Sequence, residues 1–262
     1  MKISERKVLV TGASSGVGQA LARRLAARGC RVVLIGRNVE RLERVAKETG
    51  GVALPADLAL QGEVARLVAV IAAAHSDLSV LINNAGIQLN YGLAEAARET
   101  PEQLVEDIER EVITNLTAPM QLAALLLPQL RAQAARSGAI SALVNVTSLL
   151  AMAPKKTAPV YCATKAGLRV FSQALRYQVE DSNRVESGSI LVVEAILPLV
   201  DTPMTTGRAS GPVEKMTPEA AAEEIVLGLE AESPRIHVGK AKSFGLLWRV
   251  APKAAQRILR DQ

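Results

Sequence analysis

The sequence has few aromatic residues, few cysteines and few histidines, and these scarcities exclude several classes of protein. Phe, Tyr and Trp together supply only 2% of the 262 residues, which leaves little material for a platform that stacks nucleic-acid bases. The two cysteines, Cys30 and Cys162, are too few for a disulfide framework and lack the spacing of a metal site. The two histidines, His75 and His237, lie far apart without a third ligand nearby, so we predict no metal site.

Long apolar runs and a secretion signal are lacking as well. No run approaches the roughly 18 uncharged apolar residues that a membrane-spanning helix needs. Positions 1–7 carry several charges and lead straight into a short predicted strand, so the apolar core of a signal peptide is lacking. Together with the absence of a disulfide framework, these features predict a reduced, cytoplasmic protein.

The charge is modestly positive and is not gathered into a patch. The formal net charge is +5, but lysines and arginines alternate with glutamates at helical spacing, as in Arg37 to Lys47. This pattern is typical of solvated helix faces and not of the basic stripe of a nucleic-acid-binding protein. Hydrophobic residues make up 49% of the chain, so we expect a large aliphatic core and a small-molecule partner.

Short apolar runs alternate with segments of helical period. Predicted strands cover Lys7–Val10, Arg31–Ile35, Val52–Pro55, Ser79–Asn83, Ala139–Thr147, Ser189–Ala195 and Arg235–Gly239. Predicted helices cover Gly16–Arg28, Val39–Thr49, Gly62–His75, 101–117, 117–135 and Pro159–Asp181. The strands are runs of Val, Leu and Ile, which is typical of strands buried on both faces. The pattern predicts one Rossmann-type α/β domain over 1–262, a doubly wound parallel sheet of about seven strands flanked by helices.

Two segments fall outside this regular alternation. The stretch 202–216 is rich in small residues and follows the sixth strand. It could be an ordinary surface loop, but its position at the carboxyl end of the sheet favours a lid over a ligand. The tail, about 243–260, has an amphipathic helical pattern. In order of preference, it could pack on its own domain, form a subunit contact or lie on a membrane surface.

The first predicted strand leads directly into a glycine-rich loop. One glycine permits the tight turn, one lets the backbone approach a pyrophosphate, and one allows close packing of helix and strand. The helix that follows presents free N–H groups and the positive end of its dipole to phosphates. This strand–turn–helix setting predicts a dinucleotide site. Its contacts are expected from Gly12, Ser14, Ser15, Gly16, Val17 and Gly18.

The residues after the second strand predict which dinucleotide binds. Proteins that bind NAD usually place an acidic residue there to accept a hydrogen bond from the ribose 2′-OH. Here the sequence is Gly36-Arg37-Asn38, without an acid. Arg37 offers a fork of donors suited to a phosphate, which predicts NADP (NADPH) in preference to NAD. The alternative is that Arg37 is only a solvated charge at a helix start.

Three polar residues suggest acid–base chemistry. Tyr161 and Lys165 are four positions apart on a predicted helix, so their side chains share one face. A nearby ammonium group favours the phenolate and lowers the pKa of the tyrosine, which suits proton transfer to or from an alcohol. Ser148 ends the fifth strand, beside the expected ligand crevice, and could donate a hydrogen bond to the substrate oxygen.

Taken together, these motifs resemble the short-chain dehydrogenase/reductase family over nearly the whole chain. Thr11 to Gly18 matches the family's TGxxxGxG, Asp57-Leu58 the segment that meets adenine, Asn83 to Gly86 the NNAG strand end, and Asn115 the helix asparagine that organises a relay water. Ser148, Tyr161 and Lys165 match the rest of the catalytic set.

The resemblance implies a role for each matched residue. Tyr161 would be the general acid/base, Lys165 would bind the nicotinamide ribose and lower the tyrosine pKa, and Ser148 would orient the substrate. Asn115 would hold a water behind the lysine. Asn84, Ala85 and Gly86 would line the cofactor, with Val200 and Thr202 near the carboxamide. The resemblance also implies a homodimer or homotetramer, paired through the helices at 101–135 and 159–181.

One run departs from the family pattern. After the sixth strand the family usually has Pro-Gly, whereas this chain has Leu197-Pro198. Because proline fixes φ and removes a backbone donor, the contacts on the nicotinamide side are expected to differ. The same run resembles a bacterial subgroup named after an operon for D-alanine esterification of teichoic acids, a name that gives no reaction.

The resulting hypothesis is an oxidoreductase that transfers hydride between NADP(H) and a secondary alcohol or its ketone or aldehyde. The alternative is a non-catalytic NADP-binding scaffold, which has no need of the complete Ser-Tyr-Lys-Asn set. An epimerase or dehydratase is disfavoured because no large C-terminal substrate domain is present. The lid and the segment Ile87 to Ala97 should shape the substrate pocket. Tyr91 could contact substrate or serve only in packing, and the many aliphatic residues hint at an apolar substrate body.

Overall fold

The computed structural model describes residues 1–207 and 214–260, and its centre is a seven-stranded parallel sheet. The strands lie in the order β3-β2-β1-β4-β5-β6-β7. They are β1 (Lys7–Thr11), β2 (Arg31–Gly36), β3 (Val52–Pro55), β4 (Leu78–Asn83), β5 (Ser141–Ser148), β6 (Ile190–Leu197) and β7 (Arg235–His237). The predicted doubly wound α/β class is confirmed, with strand bounds shifted by one or two residues.

Helices cover both faces of the sheet. They are α1 (Gly16–Ala27), α2 (Val39–Thr49), α3 (Glu63–Ala74), α4 (Leu93–Glu99), α5 (Pro101–Val112), α6 (Ala118–Ser137), α7 (Pro159–Ser182), α8 (Pro218–Glu230), α9 (Ala241–Val250) and α10 (Pro252–Arg260). One core packs α1, α2 and α8 on the sheet, and a second packs α3, α6 and α7 on the opposite face.

Alternate residues of the central strands enter opposite cores. In β1, Val8 and Val10 join the core of α1, whereas Leu9 joins the core of α3 and α6. All three side chains are fully buried, because both faces of a parallel sheet are covered by helices. Because these strands have no polar face, their aliphatic side chains contribute to a hydrophobic core on each side of the sheet.

The order of the strands creates a crevice beside β1. From β1 the chain proceeds to β2 and β3 on one side, and it then returns to β4 on the other. At such a switch point the connections leave in opposite directions, and ligands bind at the carboxyl ends of the strands. The ends of β1 and β4 therefore mark the place where a site is expected.

The helices predicted at 101–117 and 117–135 are joined differently in the structure. After α5 ends, a π-helical turn over Ile113–Thr117 leads directly into α6. Such wide turns are frequent at functional sites. This one contains Asn115, which is fully buried and whose amide group pairs with backbone outside the helix.

The C-terminal tail forms two helices instead of the one predicted over about 243–260. Pro252 starts α10 and interrupts the helix, because proline lacks the N–H needed to continue it. The tail packs on its own chain through a third buried cluster that contains Phe244 and Leu259 from the tail together with Leu149 and Met152. The preferred interpretation of the tail therefore agrees with the structure.

Two helices, α4 and α8, were absent from the sequence prediction. The start of α8 carries a recognisable signature, since Thr217 accepts a hydrogen bond from the N–H of Ala220 at 3.2 Å and Pro218 occupies the first turn. In the part of the chain that the structure describes, no helix has the length and apolar character needed to cross a bilayer.

Part of the predicted lid, 208–213, lies outside the described residues. The chain before and after this segment is held together by two backbone hydrogen bonds. The N–H of Asp201 donates to the carbonyl of Met216 at 2.8 Å, and the N–H of Met216 donates to the carbonyl of Leu199 at 3.0 Å. Between them, Thr202 caps a short 3₁₀ turn over Pro203–Thr205. The lid remains a prediction.

Candidate active site

A cavity of about 490 Å³ opens at the carboxyl ends of the strands. It brings together every predicted site residue except Asn115. The residues that line it include Gly12, Ser14, Ser15, Gly16, Val17, Gly18, Arg37, Asp57, Leu58, Asn84, Ala85, Gly86, Ser148, Tyr161, Lys165, Val200 and Thr202. Segments that are far apart in sequence therefore converge on one site.

The glycine loop packs tightly against itself and against the loop after β4 and leaves the N-terminus of α1 without a side-chain cap. Gly12 has a φ of +68°, and a Cβ on it would lie 2.8 Å from the Cα of Ala85. A Cβ on Gly18 would overlap the carbonyl oxygen of Gly12. The first turn of α1 contains no acidic side chain, and Ser15 makes no side-chain cap hydrogen bond. These features fit the pyrophosphate of a dinucleotide at the N-terminus of α1.

Thr11 fastens β1 to β4 at the switch point. Its Oγ1 accepts hydrogen bonds from the backbone N–H groups of Asn84 and Ala85, both at 3.0 Å. The side-chain amide of Asn84 in turn donates to the carbonyl of Thr11 at 2.9 Å. The predicted cofactor residues after β4 are therefore held directly against the glycine loop.

The far end of the cavity carries Arg37 and Asp57. The Arg37 guanidinium is half-exposed and lies 3.9 Å from an Asp57 carboxylate oxygen, and Arg110 lies 3.5 Å from the same oxygen. Arg110 was not predicted, because nothing in the sequence shows that α5 reaches this point. The two cations neutralise Asp57, and the half-exposed Arg37 remains available to an anionic group.

Tyr161 and Lys165 lie on α7 with their side chains inside the protein. The Lys165 ammonium donates to the carbonyl of Val146 at 2.9 Å and lies 5.8 Å from the centroid of the Tyr161 ring. Burial lowers the pKa of Lys165 to about 8. The tyrosine thus has a nearby cation whose charge favours ionisation of its phenol.

Ser148 is the last residue of β5, and its Oγ accepts a hydrogen bond from the N–H of Leu150 at 3.2 Å. Behind it runs a buried polar chain that the sequence prediction missed. The amide of Asn83 donates to Asn145 at 2.9 Å, and the amide of Asn145 donates to Ser172 at 2.9 Å. This chain fixes α7 against β4 and β5. The only sequence signal was a pair of asparagines at apolar strand positions.

Asn115 joins the loop after β4 to α7. Its Oδ1 accepts from the N–H of Ile87 and its Nδ2 donates to the carbonyl of Ile87, both at 2.8 Å. The same Nδ2 donates to Oγ1 of Thr164, the neighbour of Lys165, at 3.2 Å. Asn115 is therefore placed behind the cavity wall, where it positions two elements that line the cavity.

Glu111 supports the same loop one helical turn earlier, although the sequence gave no indication of this. It is fully buried, and its Oε1 accepts from the N–H of Leu89 at 3.2 Å. Burial raises the pKa of Glu111 to about 7.

Tyr91, on the same loop, is not among the described residues that line the cavity. The pKa of Tyr91 is raised, mainly by burial and to a smaller extent by the nearby charge of Glu111. The packing interpretation of Tyr91 is thereby favoured.

The segment after β6 closes one side of the cavity. Leu197, Pro198 and Leu199 all line it, so the departure from the family pattern replaces a glycine with an apolar ring. Thr202 lies against the glycine loop, since a Cβ on Gly16 would come within 3.1 Å of its Cγ2. Val200 and Thr202 therefore lie beside the site as the sequence predicted.

The C-terminal helices contribute a further wall that the sequence analysis did not assign to the site. Phe244, Leu247, Ile258 and Leu259 all line the cavity. Their amphipathic spacing was visible in the sequence, but it could not show which surface they cover. Apart from Lys240 and Ser243, which also line the cavity, the wall they form is apolar.

The cysteines and histidines lie apart from this chemistry. Both thiols are free and buried, and burial raises the pKa of each. Within residues 1–207 and 214–260, no group of three or more His, Cys, Asp or Glu side chains is gathered as a metal site would require.

Comparison with known proteins places this geometry in context. The family described as short chain dehydrogenase matches residues 6–212. An uncharacterized oxidoreductase, DltE, of Bacillus subtilis is 37% identical over 203 residues, covering 77% of this chain and 74% of the relative. A fatty acyl-CoA reductase of Acinetobacter baylyi is 31% identical over 258 residues, covering 95% of this chain and 81% of the relative.

A solved structure agrees over nearly the full length. A short-chain dehydrogenase from Sphingobium yanoikuyae, in complex with NADPH, superimposes with a TM-score of 0.72 at 29% identity. The match covers 97% of this chain and 94% of that one.

Proposed function

The chain belongs to the short chain dehydrogenase family and is an oxidoreductase, and on that premise we propose that it interconverts a secondary alcohol and its ketone, or an aldehyde and its alcohol, with NADP(H). The observation that carries the proposal is that Ser148, Tyr161 and Lys165 line the same cavity as the glycine loop. Acid–base groups and a phosphate-binding turn are the two halves that a hydride-transfer site requires.

The protein's own residues supply orientation and the proton. When bound, NADPH supplies the hydride. The Ser148 hydroxyl donates to the carbonyl oxygen and fixes its direction. The Tyr161 phenol protonates the forming alkoxide, and it accepts that proton in the reverse reaction. The buried Lys165 ammonium favours the phenolate, and because its pKa is about 8, it is largely protonated at neutral pH.

Arg37 supports NADP as the preferred dinucleotide. It lies at the end of the cavity where no acidic residue follows β2, and its guanidinium is half-exposed. A planar fork of donors suits a 2′-phosphate. The Sphingobium relative, 29% identical, is in complex with NADPH, which supports the same choice.

The proposed reaction is tested by a panel of ketones and aldehydes with purified protein, following absorbance of the reduced nicotinamide. We expect turnover with NADPH and a higher kcat/KM with NADPH than with NADH. Equal or better use of NADH would contradict the cofactor preference. Binding of NADPH without reduction of any member of the panel would favour the scaffold alternative.

We also propose a homodimer or homotetramer paired through α5, α6 and α7. These helices expose large hydrophobic side chains, namely Val105, Leu125, Val170 and Tyr177, which an isolated chain would leave in water. Light scattering on the eluting protein should give a multiple of the chain mass. A glutamate in place of Val170 should shift that mass to the monomer, and a monomeric wild type would contradict the proposal.

A further inference from the structure

We infer that α9 and α10 form a hydrophobic roof that binds an aliphatic chain attached to the substrate's carbonyl group. The roof is defined as Ala241–Arg260. This inference rests on the proposed carbonyl reduction and deepens it, because it names the class of substrate that the same site accepts.

The roof lines the cavity together with other apolar residues. Leu247 and Ile258 are its contribution from α9 and α10. Further apolar lining comes from the residues that follow β5 and β6, including Leu149 directly after Ser148 and Leu199 after β6. Met204 completes this lining. The space next to the reacting carbonyl is therefore bounded mainly by hydrocarbon.

Contacts to the catalytic loop fix the roof in position. Phe244 and Leu259 are buried with Leu149 and Met152 in one cluster. The N–H of Lys156, three residues before α7, donates to the carbonyl of Arg260 at 3.0 Å. The roof is thus tied to the segment between Ser148 and Tyr161, so it keeps its place relative to the catalytic groups.

Few polar groups lie in this half of the cavity to receive a polar substituent. Ser148 and Tyr161 are committed to the carbonyl oxygen. Of the other polar side chains that line the cavity, Lys240 and Ser243 are exposed, and Lys155, in the loop ahead of α7, is largely buried. A polar substituent held against the leucines of the roof would lose its water without gaining a partner from them. A methylene group gains about 0.8 kcal/mol on burial, which is about fourfold in affinity.

Two adjacent leucines give a matched pair of variants. Leu247 lines the cavity, whereas Leu246 is 64% exposed. Both lie on α9 and both lose the same atoms on replacement by alanine. Comparing the two variants therefore distinguishes the effect of losing a cavity-lining side chain from the effect of shortening any leucine of this helix. Ile258, which also lines the cavity, is 39% exposed, so Ile258→Ala provides a second lining variant with little risk to folding.

The single tryptophan provides a readout that is independent of turnover. Trp248 is partly buried against the roof cluster, next to Leu247. Entry of an apolar chain beneath the roof should change its surroundings and hence its fluorescence. Binding can then be titrated even with ligands that do not react.

The experiment uses full-length protein and a series of unbranched 2-ketones from butanone to 2-nonanone, with saturating NADPH for turnover and saturating oxidised NADP, which cannot reduce a ketone, for binding. We expect kcat/KM, and affinity by Trp248 fluorescence, to rise with chain length by up to about fourfold per methylene. Leu247→Ala and Ile258→Ala should lower kcat/KM for 2-nonanone by about tenfold and should lower it much less for butanone, so the dependence on chain length becomes weaker. Leu246→Ala should match wild type.

The outcomes separate this inference from the proposed function. Reduction of short and long ketones with equal efficiency would overturn the roof as a chain-binding surface while leaving the reaction in place. Equal losses in Leu246→Ala and Leu247→Ala would overturn it as well. Fluorescence titrations that strengthen with chain length, without reduction of any ketone, would uphold the roof and contradict the proposed reaction.

Discussion

The two halves of the cavity are built by different means. The cofactor half, formed by the glycine loop and the ends of β1, β2 and β4, consists of glycines, backbone N–H groups and a few polar side chains. The substrate half, formed by the residues after β5 and β6 and by the roof, consists mainly of aliphatic side chains. Under the proposed function, the first half has to hold a constant chemical group, whereas the second only needs apolar volume of a suitable shape.

This difference decides how many residue types each position can accept. At Gly12 and Gly18 an added Cβ would meet backbone atoms, which cannot move aside. In the roof, replacing one aliphatic residue with another of similar volume usually costs less than about 1.5 kcal/mol. The cofactor half therefore has a recognisable sequence, and the substrate half does not.

The largest loss of activity should follow from changing Tyr161, which we place where the two halves of the cavity meet. Tyr161→Phe removes the proton donor and keeps the ring, so we expect kcat to fall by about 10³-fold or more while NADPH binding survives. Steady-state kinetics and a nicotinamide fluorescence titration measure the two quantities. Tyr177→Phe, exposed on the same helix, should behave as wild type. Substantial activity in Tyr161→Phe would refute the assignment of the acid/base.

A smaller effect should follow from disturbing the glycine loop. In Gly18→Ala the new Cβ collides with the carbonyl of Gly12, and we expect NADPH affinity to fall by about ten- to a hundredfold as the loop shifts. Gly92→Ala, in the exposed start of α4 with a φ of −83°, is the control and should keep full affinity. Wild-type affinity in Gly18→Ala would show that the loop does not hold the cofactor closely.

Arg37→Ala should change cofactor choice rather than overall binding. Loss of the guanidinium removes a charge-assisted contact to the 2′-phosphate, and because Arg37 is half-exposed, we expect about tenfold weaker NADPH binding. NADH binding should stay the same. Arg41→Ala removes an exposed cation from the adjacent helix and serves as the control. A parallel loss for both cofactors would contradict the proposed recognition.

The residues that could be predicted from the sequence belong mainly to the cofactor half of the cavity, and those that could not belong mainly to the substrate half. Gly12, Tyr161 and Lys165 were predicted because their chemistry demands those residue types at fixed places in the βαβ order, and Asn84 was predicted from the family resemblance. The roof was not predicted, since an amphipathic tail carries no information about the surface that it covers. Pro252 in that tail, and the wide turn at Asn115, also changed the helix boundaries.

Residues that act from behind the cavity were missed for a related reason. Glu111 and Asn145 meet their partners only through the packing of helices on the sheet, and the partners lie far away in sequence or on another element. A buried carboxylate at an otherwise polar helix position looks the same in the sequence as an exposed one. Only tertiary structure identifies them.

The smallest expected effect concerns Glu111. Since burial raises its pKa from 4.5 to about 7, the folded state favours the protonated carboxyl. The stability contributed by this group is fully present below pH 4.5, falls as the pH rises, and is lost once the pH passes about 7. Glu111→Gln should remove this decline. The Tm of the variant minus the Tm of wild type should therefore rise by a few degrees as the pH is raised from 5 to 8.

The exposed Glu109 on the same helix supplies the control for that measurement. Glu109→Gln makes the same chemical replacement outside the buried contact with Leu89, so its Tm should follow that of wild type. If Glu111→Gln and wild type kept a constant difference in Tm across this pH range, Glu111 would not titrate there.

The central claim is that one cavity joins a dinucleotide to a carbonyl group through Tyr161. Its most direct test is transfer of deuterium to 2-nonanone from NADPH that carries deuterium at both hydrogen positions of the reactive nicotinamide carbon, followed by mass spectrometry. Wild type should place one deuterium on the carbinol carbon of the product alcohol, and Tyr161→Phe should bind the cofactor without transfer. NADPH binding without deuterium transfer by wild type, or equal transfer by both proteins, would contradict the account.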